Sequence, residues 1–129
     1  MFGSENIHSI TLNLETDPAG SDVYQLFKAP RALTVKAAHM VSENAISGTG
    51  ITMTLLNYGT AGTAVQTGGT ITNALGSGMS ADVPTAFTLV SAAVDIAEGE
   101  WLVWALTEGA AGWQSGDRVQ LQVDFAYGV

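Results

Sequence analysis

Apolar and polar residues alternate along much of this chain, and the alternation is clearest over 117–127. Successive side chains of a β-strand point to opposite faces, so this pattern predicts a strand with one buried face. On that face lie Val119, Leu121, Val123, Phe125 and Tyr127, with Arg118, Gln120, Gln122 and Asp124 between them. The same alternation over 33–41 predicts one apolar face made of Leu33, Val35, Ala37, His39 and Val41.

Glycine and proline clusters separate these runs at short, regular intervals, which is typical of a sandwich or barrel. We predict strands at 7–15, 22–29, 33–42, 50–58, 68–74, 84–91, 99–108 and 117–127. The fold class is therefore all-β: an antiparallel β-sandwich of about eight strands, jelly-roll-like, forming a single domain over 1–129. Only 91–98 has the composition for one helical turn, and the Gly/Thr/Ala-rich stretch 58–80 is predicted to be a long, mobile excursion between strands.

One predicted strand, 99–108, is apolar on both faces. Trp101, Val103 and Ala105 lie on one face, and the other carries Leu102, Trp104 and Leu106. A sandwich strand normally exposes one face to water. Something must therefore cover the second face, and both a loop of this chain and another subunit satisfy the pattern.

Composition narrows the possible functions. The chain has 129 residues, of which 47% are apolar and 12% charged, and its net charge is −8. Four basic residues cannot neutralise a run of phosphates, so nucleic acid and anionic membrane are not expected partners. The absence of cysteine excludes disulfides and cysteine-ligated metals.

Candidate catalytic groups are few. Gly76-Ser77-Gly78-Met79-Ser80-Ala81 matches the glycine-rich dinucleotide string, but Pro84 and a predicted strand follow where a helix is required. His8 and His39 are the only imidazoles, and each is predicted to lie on the apolar face of its strand. We expect packed histidines, no catalytic residue, no cofactor and no enzymatic activity.

Three carboxylates, Asp95, Glu98 and Glu100, fall within six residues. Clustered oxygen ligands are what Ca²⁺ prefers. A solvated turn at Glu98-Gly99 is the other interpretation, and it is favoured because no EF-hand spacing is present. We therefore predict no metal site.

Aromatic residues supply the candidate contact surface. Trp101, Val103 and Trp104 belong to the two-sided apolar strand, and Trp113 lies in the glycine-rich stretch 109–116. A tryptophan at a loop tip needs something to pack against, so Trp113 is the best single candidate for a contact residue. A sugar-stacking platform built with Tyr24, Tyr58 and Tyr127 is the alternative use of the aromatic residues.

The chain resembles the small β-sandwich decoration and head-fibre proteins of tailed bacteriophages. The resemblance is carried by Phe27-Lys28-Ala29-Pro30, by Leu33-Thr34-Val35-Lys36-Ala37, by Leu55-Leu56-Asn57, by 96–103 and by 119–125. These are strand-and-turn patterns that extend over nearly the whole chain and include no functional residue that can be transferred.

The resemblance implies a non-enzymatic structural protein that decorates or stabilises the exterior of a tailed-phage capsid. Its partners would be the major capsid protein and further copies of itself, as a homo-oligomer, with a trimer as the first expectation. It would be made in the host cytoplasm and located on the virion surface. The alternative from another class is a carbohydrate- or receptor-binding β-sandwich module.

Overall fold

A computed structural model describes residues 6–15, 21–45, 52–74, 80–107 and 118–128. Its eight strands are β1 (His8–Glu15), β2 (Ser21–Lys28), β3 (Leu33–Ser42), β4 (Thr52–Asn57), β5 (Thr85–Ala86), β6 (Asp95–Ile96), β7 (Trp101–Thr107) and β8 (Arg118–Tyr127). One turn of 3₁₀-helix, Ser91–Ala93, separates β5 from β6. Among the described residues, no helix is long and apolar enough to span a membrane.

The strands form two antiparallel sheets. The large sheet has the order β1-β8-β3-β5, with β6 also paired to β3, and the small sheet has the order β2-β7-β4. Residues 70 and 72 add two isolated bridges, from Thr70 to Leu56 of β4 and from Thr72 to Leu89. The resulting strand order is that of a jelly roll, which confirms the predicted all-β sandwich.

Two predicted strands differ from those in the structure. The segment 68–74 forms one isolated bridge to β4 and one to Leu89 rather than a continuous ladder. The predicted strand 84–91 is only Thr85–Ala86, because the chain there changes partner: Phe87 N–H donates to Ala38 of β3, and Val90 N–H then donates to Ile71. The chain returns to β3 at β6, a strand that the sequence pattern did not predict.

A β-bulge in β3 corrects the predicted face of that strand. Pairing with β8 shifts register between Val35 and Ala37, so the core face continues with Ala38 and Met40. A bulge inserts one unpaired residue and reverses the alternation beyond it. Ala37, His39 and Val41 therefore lie on the outer face, and the prediction that His39 is on the apolar face was wrong.

The core fills the space between the sheets, and its largest fully buried side chain is that of Trp104. From the large sheet come Leu33, Val35, Ala38, Met40, Ile96, Val119, Leu121, Val123 and Phe125, and from the small sheet come Met53, Leu55, Leu102, Trp104 and Leu106. The alternation of β8 predicts Val119, Leu121, Val123 and Phe125 correctly, whereas Tyr127 is only half-buried and Ala126 is buried. Ile71 and Phe87 close the core on the side where the chain crosses between the sheets.

Candidate interaction surface

Trp104, one of the predicted contact residues, lies in the core. It is 1% exposed and pairs across the small sheet with Tyr24 and Leu55. Its ring centroid lies 4.8 Å from that of Phe87, a distance typical of favourable aromatic packing. The face with Leu102, Trp104 and Leu106 is thus the one that faces the large sheet.

Trp101 and Val103 lie on the outer face of the small sheet, yet Val103 has no exposed area. It lies between Gln25 of β2 and Leu56 of β4. The chain after β4 folds over this position, where the Gln25 side-chain amide donates to the Gly62 carbonyl at 2.9 Å. A loop of this chain therefore covers Val103. Of the two covers that the sequence allowed, a loop or another subunit, the loop is the one found at this position.

Gly62 lies against Trp101 and leaves no room for a side chain. A Cβ built at Gly62 would be 2.8 Å from Trp101 Cδ1, which is closer than real Cβ contacts, and the backbone φ there is +69°. Glycine alone adopts this conformation without steric cost. The backbone of Tyr58 and Gly59 bonds to Trp101, since Tyr58 N–H donates to its carbonyl and Trp101 N–H donates to Gly59.

The stretch predicted to be a mobile excursion is tied to β4 over its described part, 58–74. Asn57 N–H donates to Gly69 at 2.7 Å, Gln66 N–H donates back to Asn57 at 3.0 Å, and Ile71 N–H donates to Leu55 at 2.9 Å. The Thr72 hydroxyl accepts from Leu55 N–H and is fully buried. The described part of the stretch is therefore hydrogen-bonded along β4 as an extension of the small sheet, which the glycine-rich sequence did not reveal.

Of the predicted contact residues that the structure describes, only Trp101 retains exposed area. Farther along the outer face, Val23 is 53% exposed and Ala105 is half-buried. Trp113 lies outside the described residues. Participation of these residues in an interface stays a prediction. Of the aromatic residues of the alternative sugar platform, Tyr24 packs on the core and Tyr127 lies 4.4 Å from the Arg31 guanidinium, and the platform also stays a prediction.

The carboxylates of the Glu98-Gly99 turn are used within the fold. Glu100 Oε1 accepts from Ala97 N–H at 2.6 Å and from the Asn57 side-chain amide at 3.2 Å. Asp95 Oδ1 accepts from the Thr34 hydroxyl at 2.8 Å. Among the described residues, no three metal-ligating side chains come together.

The two histidines are in different environments. His8 stacks on Phe125 with ring centroids 5.5 Å apart, on the core side of β1 as the alternation predicts. His39 lies on the outer face of the large sheet opposite Gln122. Near it, burial would raise the pKa of Asp124, but hydrogen bonds from Ser9 and Gln122 and the charge of His39 outweigh that effect and lower it. His39 thus belongs to a polar surface rather than to the core.

Acidic residues gather at one end of the sandwich. The pairs Glu15–Arg118, Ser21–Thr107 and Ser42–Val119 place one end of β1, β2, β3, β7 and β8 at the same edge of the sheets. At or next to these strand ends, within the described residues, lie four acidic residues and one basic residue, Arg118. The acidic residues are Glu15, Asp22, Glu43 and Asp82.

Comparison with known proteins identifies the fold and no sequence family. No family model matches the chain, and no curated protein matches it. A chain of the cyanophage Pam1 capsid asymmetric unit aligns with a TM-score of 0.50 and 18% identity, over 98% of this chain and 89% of that one. Structures of the Gx and Gt strains of infectious bursal disease virus align with TM-scores of 0.46 at 16% and 17% identity, and the chain spans about a third of those chains. The sandwich is therefore similar in fold to a viral capsid component.

Proposed function

We propose that this chain is a non-enzymatic structural protein that decorates or stabilises the exterior of a tailed-phage capsid. One observation carries the proposal: the likeness to the cyanophage Pam1 capsid chain extends over 98% of this chain and 89% of the other. The two chains are therefore similar in length, and the likeness is not confined to one domain of a large shell protein. The strand-and-turn patterns of the sequence support the same class.

The proposed partners are the major capsid protein and further copies of this chain, as a homo-oligomer present in many copies on the virion surface after synthesis in the host cytoplasm. Trp113 is the proposed contact residue. It lies on the connection between β7 and β8, which starts and ends at the acidic end of the sandwich. Large aromatic residues are enriched among those that dominate binding energy at protein interfaces.

Quantitative mass spectrometry of purified virions tests the proposal. We expect the chain in a fixed, high copy ratio to the major capsid protein, and we expect purified protein to bind capsids that lack it. Trp113→Ala should weaken that binding, whereas Val65→Ala, which truncates an exposed apolar residue in the loop over the small sheet, should not.

Absence of the chain from virions, or only a few copies, would contradict the decoration role. A glycan screen separates the alternative class. Tight binding of a sugar by the free protein, abolished by Trp113→Ala, would make the chain a carbohydrate-binding module instead.

A further inference from the structure

The two sides of the sandwich differ in their backbone edges. On one side the chain over 85–96 joins the sheets, with Phe87 N–H donating to Ala38 and Val90 N–H donating to Ile71, both at 2.8 Å. On the other side β1 ends the large sheet and β2 ends the small sheet. Within the described residues, no strand pairs with the outer edge of β1. Among the described strands, β1 is therefore an edge to which a further strand can be added.

The edge of β1 has no device that prevents strand pairing. It pairs with β8 at all eight positions from His8 to Glu15 without a register shift, so its outer edge is straight. Eight residues make an edge about 26 Å long. Natural edge strands are usually blunted by lysine, proline or a bulge. β1 contains none of these, whereas β2 has a bulge between Gln25 and Phe27 and ends at Lys28.

The side chains of β1 suit an added strand. Ile10 and Leu12 pack at the rim of the core and are only half-buried, and Ile7, just before the strand, is 50% exposed. On the opposite face Ser9 and Thr11 are exposed, uncharged and able to form hydrogen bonds. A neighbouring strand would cover the first face and match the polarity of the second.

We propose that β1 pairs antiparallel with β1 of a second copy of this chain, which gives a two-fold dimer with one sheet continuous across the seam. Pairing β1 with β1 uses the same surface of both copies. A contact of that kind closes as a dimer with two-fold symmetry.

Charge distribution favours a second copy in this orientation. Antiparallel pairing directs the two acidic ends in opposite directions, about one strand length apart. That separation exceeds the Debye length of about 8 Å at physiological salt, so the repulsion is screened. The net charge of −8 therefore opposes most contacts between copies more than it opposes this one.

A charge-swap experiment at Thr11 tests the dimer. Thr11 is exposed near the middle of β1, so it lies close to its symmetry mate in the proposed seam. Sedimentation equilibrium of the full chain should show reversible association to about twice 13.3 kDa. Thr11→Lys alone and Thr11→Glu alone should each weaken the dimer about tenfold or more through like-charge contact. An equimolar mixture of the two should restore dimerisation, because each heterodimer then pairs opposite charges.

Thr63→Lys is the matched control, since Thr63 is an exposed threonine in the loop over the small sheet. It should leave dimerisation unchanged, and at a concentration where the wild type is monomeric all variants should keep the wild-type melting temperature. A monomer at every concentration, a trimer mass, or Thr11 variants that associate like wild type would each overturn the proposal. The measurement uses purified protein without capsids, so its outcome is independent of whether the chain decorates a virion.

Discussion

Replacing Gly62 by alanine tests whether the chain itself covers the outer face of the small sheet. The new Cβ would lie 2.8 Å from Trp101 Cδ1 and 3.1 Å from Cγ, so the loop or the indole must move. Forcing an extra carbon into a packed contact costs about 1–3 kcal/mol. The left-handed backbone at Gly62 adds roughly 1–2 kcal/mol for any residue other than glycine.

Gly68→Ala separates these two contributions. Gly68 has φ of +71°, nearly the value at Gly62, but a Cβ there would have no atom within 4 Å. We expect Gly68→Ala to cost about 1–2 kcal/mol and Gly62→Ala about 2–5 kcal/mol, so that the excess of about 1–3 kcal/mol measures the contact with Trp101. Urea unfolding followed by circular dichroism gives both values from midpoints at constant slope.

A double-mutant cycle identifies the partner. In a Trp101→Ala background the cost of Gly62→Ala should fall to that of Gly68→Ala, since the overlapping ring is gone. If the two glycine substitutions cost the same in the wild-type chain, or if the excess survives without Trp101, the loop does not cover this face as described. Another subunit would then be the better explanation of the second apolar face of β7.

Four further predictions follow from the core and the polar surface. Phe125→Ala should cost about 3–5 kcal/mol in urea unfolding, and Gln122→Ala, on the outer face, about 1 kcal/mol for its hydrogen bond to Asp124. The buried indole N–H of Trp104 has no hydrogen-bond partner in the structure, so Trp104→Phe should change stability by less than about 1 kcal/mol, whereas Trp104→Ala should cost about 3–5 kcal/mol. The pKa of Asp124 is lowered from 3.8 on folding, so its stabilisation is complete above that value and is lost as the pH falls below it. Asp124→Asn should therefore lower the melting temperature at pH 7 and reduce its further drop below about pH 4. EDTA should leave the melting temperature unchanged, because Glu100 already accepts hydrogen bonds from Ala97 and Asn57; a drop restored by Ca²⁺ would contradict this.

The parts of the fold that were predictable are those where one pattern dominates. In β8 every second residue is apolar, and the predicted core residues Val119, Leu121, Val123 and Phe125 are buried. In β3 the alternation continues without contrast through Ala37 and Ala38, so it does not reveal where the bulge lies. Extending the alternation of β3 would bury His39, whereas the observed bulge buries Met40. Burial of a methionine side chain is more favourable than burial of a histidine.

The candidate surface was harder to predict because contacts between distant segments determine it. Nothing in the local sequence shows that Gly62 would lie on Trp101, since β5, the 3₁₀ turn and β6 all lie between the two residues along the chain. The glycine-rich composition of 58–64 was a usable signal only when combined with the two-sided apolarity of β7. A strand that needs a second cover and a loop that can approach it closely are complementary features.

Because the loop covers the outer face of β7, the apolar residues of that strand are not evidence for contact with a second copy. Two-sided apolarity requires a cover on each face but does not identify it, and in this chain the large sheet covers Trp104 while the loop covers Val103. Among the described residues of this side, the apolar side chains that keep exposed area are those of Val23, Leu56, Trp101 and Ala105 on the sheet and Val65 on the loop. They are few and scattered for a stable interface. Association between copies therefore has less to gain from the β7 face than from the unpaired backbone of β1, where hydrogen bonds and the half-buried Ile10 and Leu12 act together. The Gly62 and Thr11 substitutions separate these two surfaces, because the first alters the cover of β7 and the second alters only the edge of β1.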